Sequence, residues 1–130
     1  MKQAISAITV LVPDYDAGLD FYAEKLGFQV LEDKVLDDTK RWVLVSPTGK
    51  HGTSILLAKA VSTEEKTAIG NQAGGRVFLF LRTDNFDRDF AAFRGAGVQF
   101  QEEPRTEPYG KVAVFQDPFG NKWDLIQNFD

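Results

Sequence analysis

Apolar positions along the chain change their spacing several times, and each change marks an element. Residues 5–12 are apolar and rich in β-branched side chains, which predicts a strand. Asp14 or Asp16 then supplies a helix cap, and Leu19, Tyr22, Ala23 and Leu26 recur at the i, i+3, i+4, i+7 spacing of one helical face. Gly27 ends that helix, because a residue free of a Cβ turns left-handed without penalty. Apolar runs near 28–32, 41–45 and 53–57 predict three further strands. The expected order is β-α-β-β-β.

The same order returns at an offset of about 70 residues, as a duplicated unit would give. Asp14-Tyr15-Asp16 lines up with Asp84-Asn85-Phe86, and Leu26-Gly27-Phe28-Gln29-Val30 with Ala96-Gly97-Val98-Gln99-Phe100. Val43-Leu44-Val45 followed by Ser46-Pro47-Thr48-Gly49 resembles Ala113-Val114-Phe115 followed by Gln116-Asp117-Pro118-Phe119-Gly120. In the second copy, strands are expected near 77–81, 98–101, 111–116 and 122–127. Phe86, Phe90 and Phe93 form the helix face, with Gly95 and Gly97 at its end. Ser46-Pro47-Thr48-Gly49 and Asp117-Pro118-Phe119-Gly120 read as hairpin turns. Between the copies, Ser62-Thr63-Glu64-Glu65 fits a capping box and predicts one helical turn, and residues 70–75 read as a loop. The chain is thus expected to be a single domain over 1–130, with units 1–58 and 76–130 joined by a linker at 59–75. The fold class is α+β, two tandem βαβββ units whose mixed sheet curves into a cup, and a concave, partly apolar cup suits a small molecule.

Composition narrows the function. The 130 residues, 43% of them hydrophobic, suffice for a core without staples. Eleven Phe and two Trp offer rings to line a cavity as well as to fill a core. The absence of cysteine excludes disulfides, thiolate metal sites and a cysteine nucleophile, and fits a reducing compartment. A formal net charge of −4 without a Lys/Arg cluster argues against nucleic-acid binding and weakly favours a cationic ligand. The amino-terminal run reads as a first strand rather than a signal peptide, and no stretch approaches the roughly 20 apolar residues of a membrane span. The expected location is the cytoplasm.

Two motifs carry a family resemblance. Ile8-Thr9-Val10-Leu11-Val12-Pro13-Asp14 with Phe21-Tyr22 and Leu26-Gly27-Phe28, and Asp117-Pro118-Phe119-Gly120-Asn121 with Trp123-Asp124-Leu125, resemble the two signatures of the vicinal-oxygen-chelate superfamily. That family includes glyoxalase I, extradiol dioxygenases, epimerases, fosfomycin-resistance enzymes and bleomycin-binding proteins. Its enzymes mostly hold one divalent ion through His, Gln or Glu on four strands, where the metal acts as a Lewis acid. Carried over one at a time, the four ligand positions fall on Ala7, about Ile55, Phe78 and Asp124. The resemblance therefore implies a member without the family's metal, so that no cofactor is expected. The lone histidine, His51, does not restore the missing ligands.

Strand alternation groups the candidate site residues. If Phe78 points into the cup, Arg76 and Phe80 do too, and Asp124 brings Lys122 and Ile126 while Trp123 faces away. The expected ligand-binding set is Phe78, Phe80, Arg76 and Asp124, with Trp42 at the rim and Tyr109 on a loop able to close over it. Aromatic walls suit an aromatic or cationic ligand, with Asp124 and Arg76 orienting it. The leading expectation is metal-independent small-molecule binding by a homodimer, as the resemblance implies. Two alternatives stay open: a lyase, isomerase or dioxygenase-like enzyme with an atypical site and Asp124 as base, served by Lys122, Tyr109, His51 or Glu107, and a non-catalytic scaffold with a filled cup.

Overall fold

The computed structural model describes residues 2–47 and 52–130, which the chain divides into two compact units, Met1–Ile69 and Gly70–Asp130. The first unit runs β1 (Ala7–Val12), α1 (Tyr15–Leu19) continuing as a π-helical segment (Asp20–Lys25), β2 (Gln29–Val35), β3 (Arg41–Ser46), β4 (Ser54–Lys59) and α2 (Thr63–Ala68). Its sheet has the order β1-β4-β3-β2, with β1 parallel to β4 and the other pairs antiparallel. The second unit runs β5 (Val77–Arg82), α3 (Phe86–Gly95), β6 (Gln99–Phe100), β7 (Arg105–Glu107), β8 (Gly110–Gln116) and β9 (Lys122–Asn128). Its sheet has the order β5-β9-β8-β6, and β7 adds to β8. The α+β class is thus present, and the βαβββ order is repeated with the short β7 inserted in the second copy.

The punctuating residues act as their chemistry requires. The Asp14 carboxylate accepts the Ala17 N–H at 2.7 Å and caps α1, while Asn85 caps α3 by accepting from the Arg88 N–H at 3.1 Å. Ser62 and Glu65 form the reciprocal capping box of α2. Gly27 and Gly97, each at positive φ, end the first and third helices. The Asp117 turn closes with the Asp117 N–H donating to the Asn121 carbonyl at 2.9 Å. The corresponding turn at 46–49 and the loop carrying His51 fall partly or wholly outside the described residues.

Three local expectations change. First, the helix after Asp14 does not keep one regular stripe. Phe21 and Tyr22, adjacent in sequence, are both buried, at 3% and 0% exposed. A π-turn, with the Leu26 N–H donating to the Phe21 carbonyl at 2.9 Å, supplies the extra residue that lets both rings turn inward. Second, β5 carries a bulge: Val77 pairs with Lys122 and Leu79 with Trp123, so Phe78 is the extra residue. Third, the polar segment Arg105–Glu107 is a strand, held by ladder pairing to β8 rather than by apolar side chains.

Each sheet is buried on the side facing its own helix. In the first unit Val10, Val12, Val43, Val45, Ile55 and Leu57 are at most 4% exposed. Gly18 of α1 lies against this side, where a Cβ would meet Leu57 and Val12 at 3.1 and 3.2 Å. In the second unit Ala113, Phe115, Trp123 and Leu125 are buried, with Phe115 against Phe93 of α3 at 5.7 Å and stacked on Trp123 at 5.8 Å. The opposite side of each sheet is left for function. Among the described residues, no helix is long and apolar enough to cross a membrane.

Candidate functional site

The open face of the second sheet is set by alternation opposite the core residues. On β9 it presents Lys122, Asp124 and Ile126, and on β8 Val114 and Gln116, while Val112 of the same parity is fully buried. The β5 register brings Phe80 beside Asp124, its direct cross-strand partner, and Val114 flanks Asp124 on the other side. The bulge alters the expected grouping. Val77, not Phe78, stands opposite Lys122, so strict alternation through Arg76, Phe78 and Phe80 is not kept. Phe80 is 67% exposed, a large apolar ring left uncovered. Arg76 is exposed in the turn before β5, and its N–H donates to the Ala73 carbonyl. Tyr109 sits in the β7–β8 turn, whose end at Gly110 is four residues along β8 from Val114, or roughly 13 Å. That distance takes it away from Asp124, and its carbonyl accepts from the Phe129 N–H at 2.9 Å.

Asp124 has an unusual environment for a carboxylate. Its Oδ1 is buried and has no hydrogen-bond partner. Burial pushes its pKa up; the nearby Arg105 guanidinium pulls it back and the Glu102 carboxylate adds to the rise. Those two neighbours form a network that sequence reasoning did not find. Arg105 donates to Glu102 at 2.8 Å and to Glu107 at 2.9 Å, and the second Glu102 oxygen accepts the Val114 N–H at 2.9 Å. The Arg-Thr-Glu sequence gives no sign of this, because it depends on β7 pairing with β8.

A cavity of about 580 Å³ lies at the first sheet and draws on both of its faces, with Trp42, Leu56 and Ala58 from the open side and Arg41, Leu57 and Lys59 from the side of Val43 and Ile55. Thr9 of β1, Trp42 of β3 and Leu56 and Ala58 of β4 form its floor, with Tyr15 of α1 and Val61 at its margin. Trp42 is 39% exposed there, which places this candidate residue at the cavity. Arg41 fixes one wall: its guanidinium takes Asp33 at 2.8 Å and Asp16 at 3.0 Å while lying 5.3 Å from the Tyr15 ring centre. Its strong pairing with Asp33, then Asp16, raises its already high pKa, so it stays charged throughout the accessible range.

A family-type metal can now be tested against these side chains. On the first sheet the open-face pair at the relevant level is Ala7 and Ser54, in register with each other, whereas Ile55 faces the core. On the second sheet the pair is Phe80 and Asp124. Neither pair offers more than one oxygen-bearing side chain, short of the several N or O donors that a stable divalent site needs. No group of three or more His, Asp or Glu among the described residues is arranged to hold an ion. The residues present do not fit the family's metal.

Comparison with known proteins agrees with the fold. A protein of Shewanella frigidimarina (strain NCIMB 400) is 52% identical over 128 residues, covering 98% of this chain and 95% of its own. The crystal structure of UcmS2 superposes with a TM-score of 0.82 at 31% identity, covering 97% of this chain and 98% of that one. TnmS3, an antibiotic binding protein from Streptomyces sp. CB03234, gives 0.78 at 32% identity, with 98% of each chain covered. The Glyoxalase/Bleomycin resistance protein/Dioxygenase superfamily description matches residues 4–125, and the chain belongs to that superfamily.

Proposed function

We propose that this protein binds a small aromatic molecule without a metal ion, as a sequestering member of its superfamily rather than a metal-dependent enzyme. The observation that carries the reading is the cavity on the first sheet, where an exposed Trp42 shares the floor with Thr9, Leu56 and Ala58. A ring of this kind offers a planar stacking surface at small entropic cost, and its volume suits a molecule of a few fused rings. The exposed Phe80 beside Asp124 gives the second sheet a similar surface with one oriented polar group. The 32% identical TnmS3, an antibiotic binding protein, supports the same class of ligand.

Calorimetric titration with 2-naphthol, a planar neutral probe, tests this. Saturable binding is expected, together with a rise in melting temperature that grows with probe concentration. Trp42→Ala should weaken binding by about 1–2 kcal/mol, roughly 5- to 30-fold. Unchanged affinity in that variant would place the ligand elsewhere.

A second reading is favoured by one observation, the buried, unpartnered Oδ1 of Asp124 with its raised pKa. Such a carboxyl is suited to accept a proton from a bound substrate. Catalysis of this kind predicts turnover that Asp124→Asn abolishes while leaving 2-naphthol affinity unchanged.

A further inference from the structure

The side chains around the first-sheet cavity sort by whether their hydrogen-bonding capacity is already committed. Two acids line it, and both are tied to backbone N–H groups. Asp37 Oδ1 accepts from the Thr39 and Lys40 N–H groups, each at 2.8 Å, and closes the β2–β3 hairpin turn. The bond from Thr39 is the largest influence holding its pKa below the usual carboxylate value. Glu65 Oε1 accepts from the Val61 and Ser62 N–H groups at 2.8 and 3.2 Å, and the Val61 bond leads in lowering its pKa. These acids are structural: one shapes the hairpin at one margin of the cavity, the other starts α2 at another. The cavity's arginine is committed as well, to Asp33 and Asp16.

What remains are two lysines, Lys40 and Lys59, both exposed. Lys40 follows the Asp37 turn directly and contributes to the field that favours the Asp37 anion. Among the described residues, neither lysine forms an ion pair. Lys59 closes β4, opposite Val12, where the strand ends and the chain turns toward α2. The cavity therefore offers a floor containing Trp42, with two ammonium groups outside any ion pair and two carboxylates each held to the backbone by one oxygen. This local balance runs opposite to the net charge of −4, because the acids that dominate the sum are elsewhere or already engaged.

We propose that the first-sheet cavity selects an aromatic anion, a planar ring carrying a carboxylate, stacked on Trp42 with its charge paired to Lys40 and Lys59. This rests on the small-molecule reading above and adds to it the charge class of the ligand. An aromatic cation would meet two ammonium groups and would have only the second oxygens of Asp37 and Glu65, whose first oxygens serve the backbone. A carboxylate would instead use the lysine donors, which no described residue occupies.

Three naphthalenes of similar shape separate the possibilities: 2-naphthoate, 2-naphthylmethanol and 2-naphthylmethylammonium, titrated calorimetrically into the full chain. At low salt 2-naphthoate should bind roughly tenfold more tightly than the ammonium, with the alcohol between them, and raised salt should narrow the gap. Lys40→Gln and Lys59→Gln should each weaken 2-naphthoate by roughly two- to fivefold and leave the alcohol unchanged. The double substitution should erase the preference. Equal affinity for the three, tighter binding of the ammonium, or indifference of 2-naphthoate to both lysine changes would overturn the charge assignment while leaving the aromatic site standing. No binding by any of the three would overturn both. The lysines are exposed, so the variants should fold, and unchanged thermal unfolding checks that they do.

Discussion

Phe115→Ala should destabilise the protein by about 3–5 kcal/mol, a large part of the roughly 5–15 kcal/mol that holds a domain of this size together. Phe115 is 0% exposed and joins three aromatic neighbours: Phe93 of α3, Phe100 of β6 and Trp123 of β9, with ring centres 5.6–5.8 Å away. Removing the ring leaves a void bordered by rigid rings, which cannot collapse to fill it, so the transfer energy is lost and a cavity penalty is added. Urea denaturation followed by circular dichroism measures this. A loss below about 1 kcal/mol would mean that α3 is not anchored through this ring.

Asp117→Ala should cost about 3 kcal/mol. The carboxylate is 2% exposed and accepts from the Phe119 and Asn121 N–H groups at 3.0 and 2.8 Å and from Asn121 Nδ2 at 2.7 Å. Alanine leaves these donors buried without an acceptor, and the penalty for an unsatisfied buried group exceeds the net gain from the bond itself. The turn also lies against a second constraint. Gly70 has φ +71°, and a Cβ there would fall 1.8 Å from the Phe119 carbonyl oxygen. Asp117→Asn keeps one acceptor oxygen for the two backbone donors and should cost less, about 1 kcal/mol. Equal losses for the two substitutions would show that the charge, rather than the acceptor geometry, holds the turn.

The parts of the fold that were legible in the sequence are those where one residue type does a job few others can. Asp14 and Ser62 cap helices, Gly27 and Gly97 release them, and Asp117 folds its turn, whereas α3 is capped by Asn85, one residue past the position in register with Asp14. These set the repeat of strand, helix and three strands without reference to anything distant. The features that escaped depend on choices the apolar pattern leaves open. Val77-Phe78-Leu79-Phe80-Leu81 is apolar throughout, so no alternation marks Phe78 as a bulge. Phe21 and Tyr22 are apolar neighbours, and a regular helix would bury either one; the π-turn that buries both has no periodic signature. Arg105–Glu107 is polar and bounded by prolines, and only the neighbouring strand makes it a strand.

The candidate site divides along the same line. The placement of Asp124 on the face opposite Trp123 follows from simple alternation on β9, and Phe80 comes beside it through the parallel pairing of β5. The first-sheet cavity does not follow from local pattern. It assembles Thr9, Tyr15, Trp42 and Ala58 from four elements, and its character depends on which charged groups are already engaged. Glu65 caps α2 as the Ser62-Thr63-Glu64-Glu65 pattern predicts, while the role of Asp37 in closing the β2–β3 turn is visible only in its hydrogen bonds. Ile55, taken as a ligand position, is part of the core, and the open-face residue in register with Ala7 is Ser54.

Metal-free binding of an aromatic molecule is the central claim, and equilibrium dialysis tests it most directly. Protein stripped with a chelator is dialysed against 2-naphthol, with and without excess nickel, zinc, manganese or iron(II), and both probe and metal are counted. The account predicts the same saturable 2-naphthol binding in every chamber and no stoichiometric retention of any ion. One metal ion retained per chain, with 2-naphthol bound only in its presence, would contradict it.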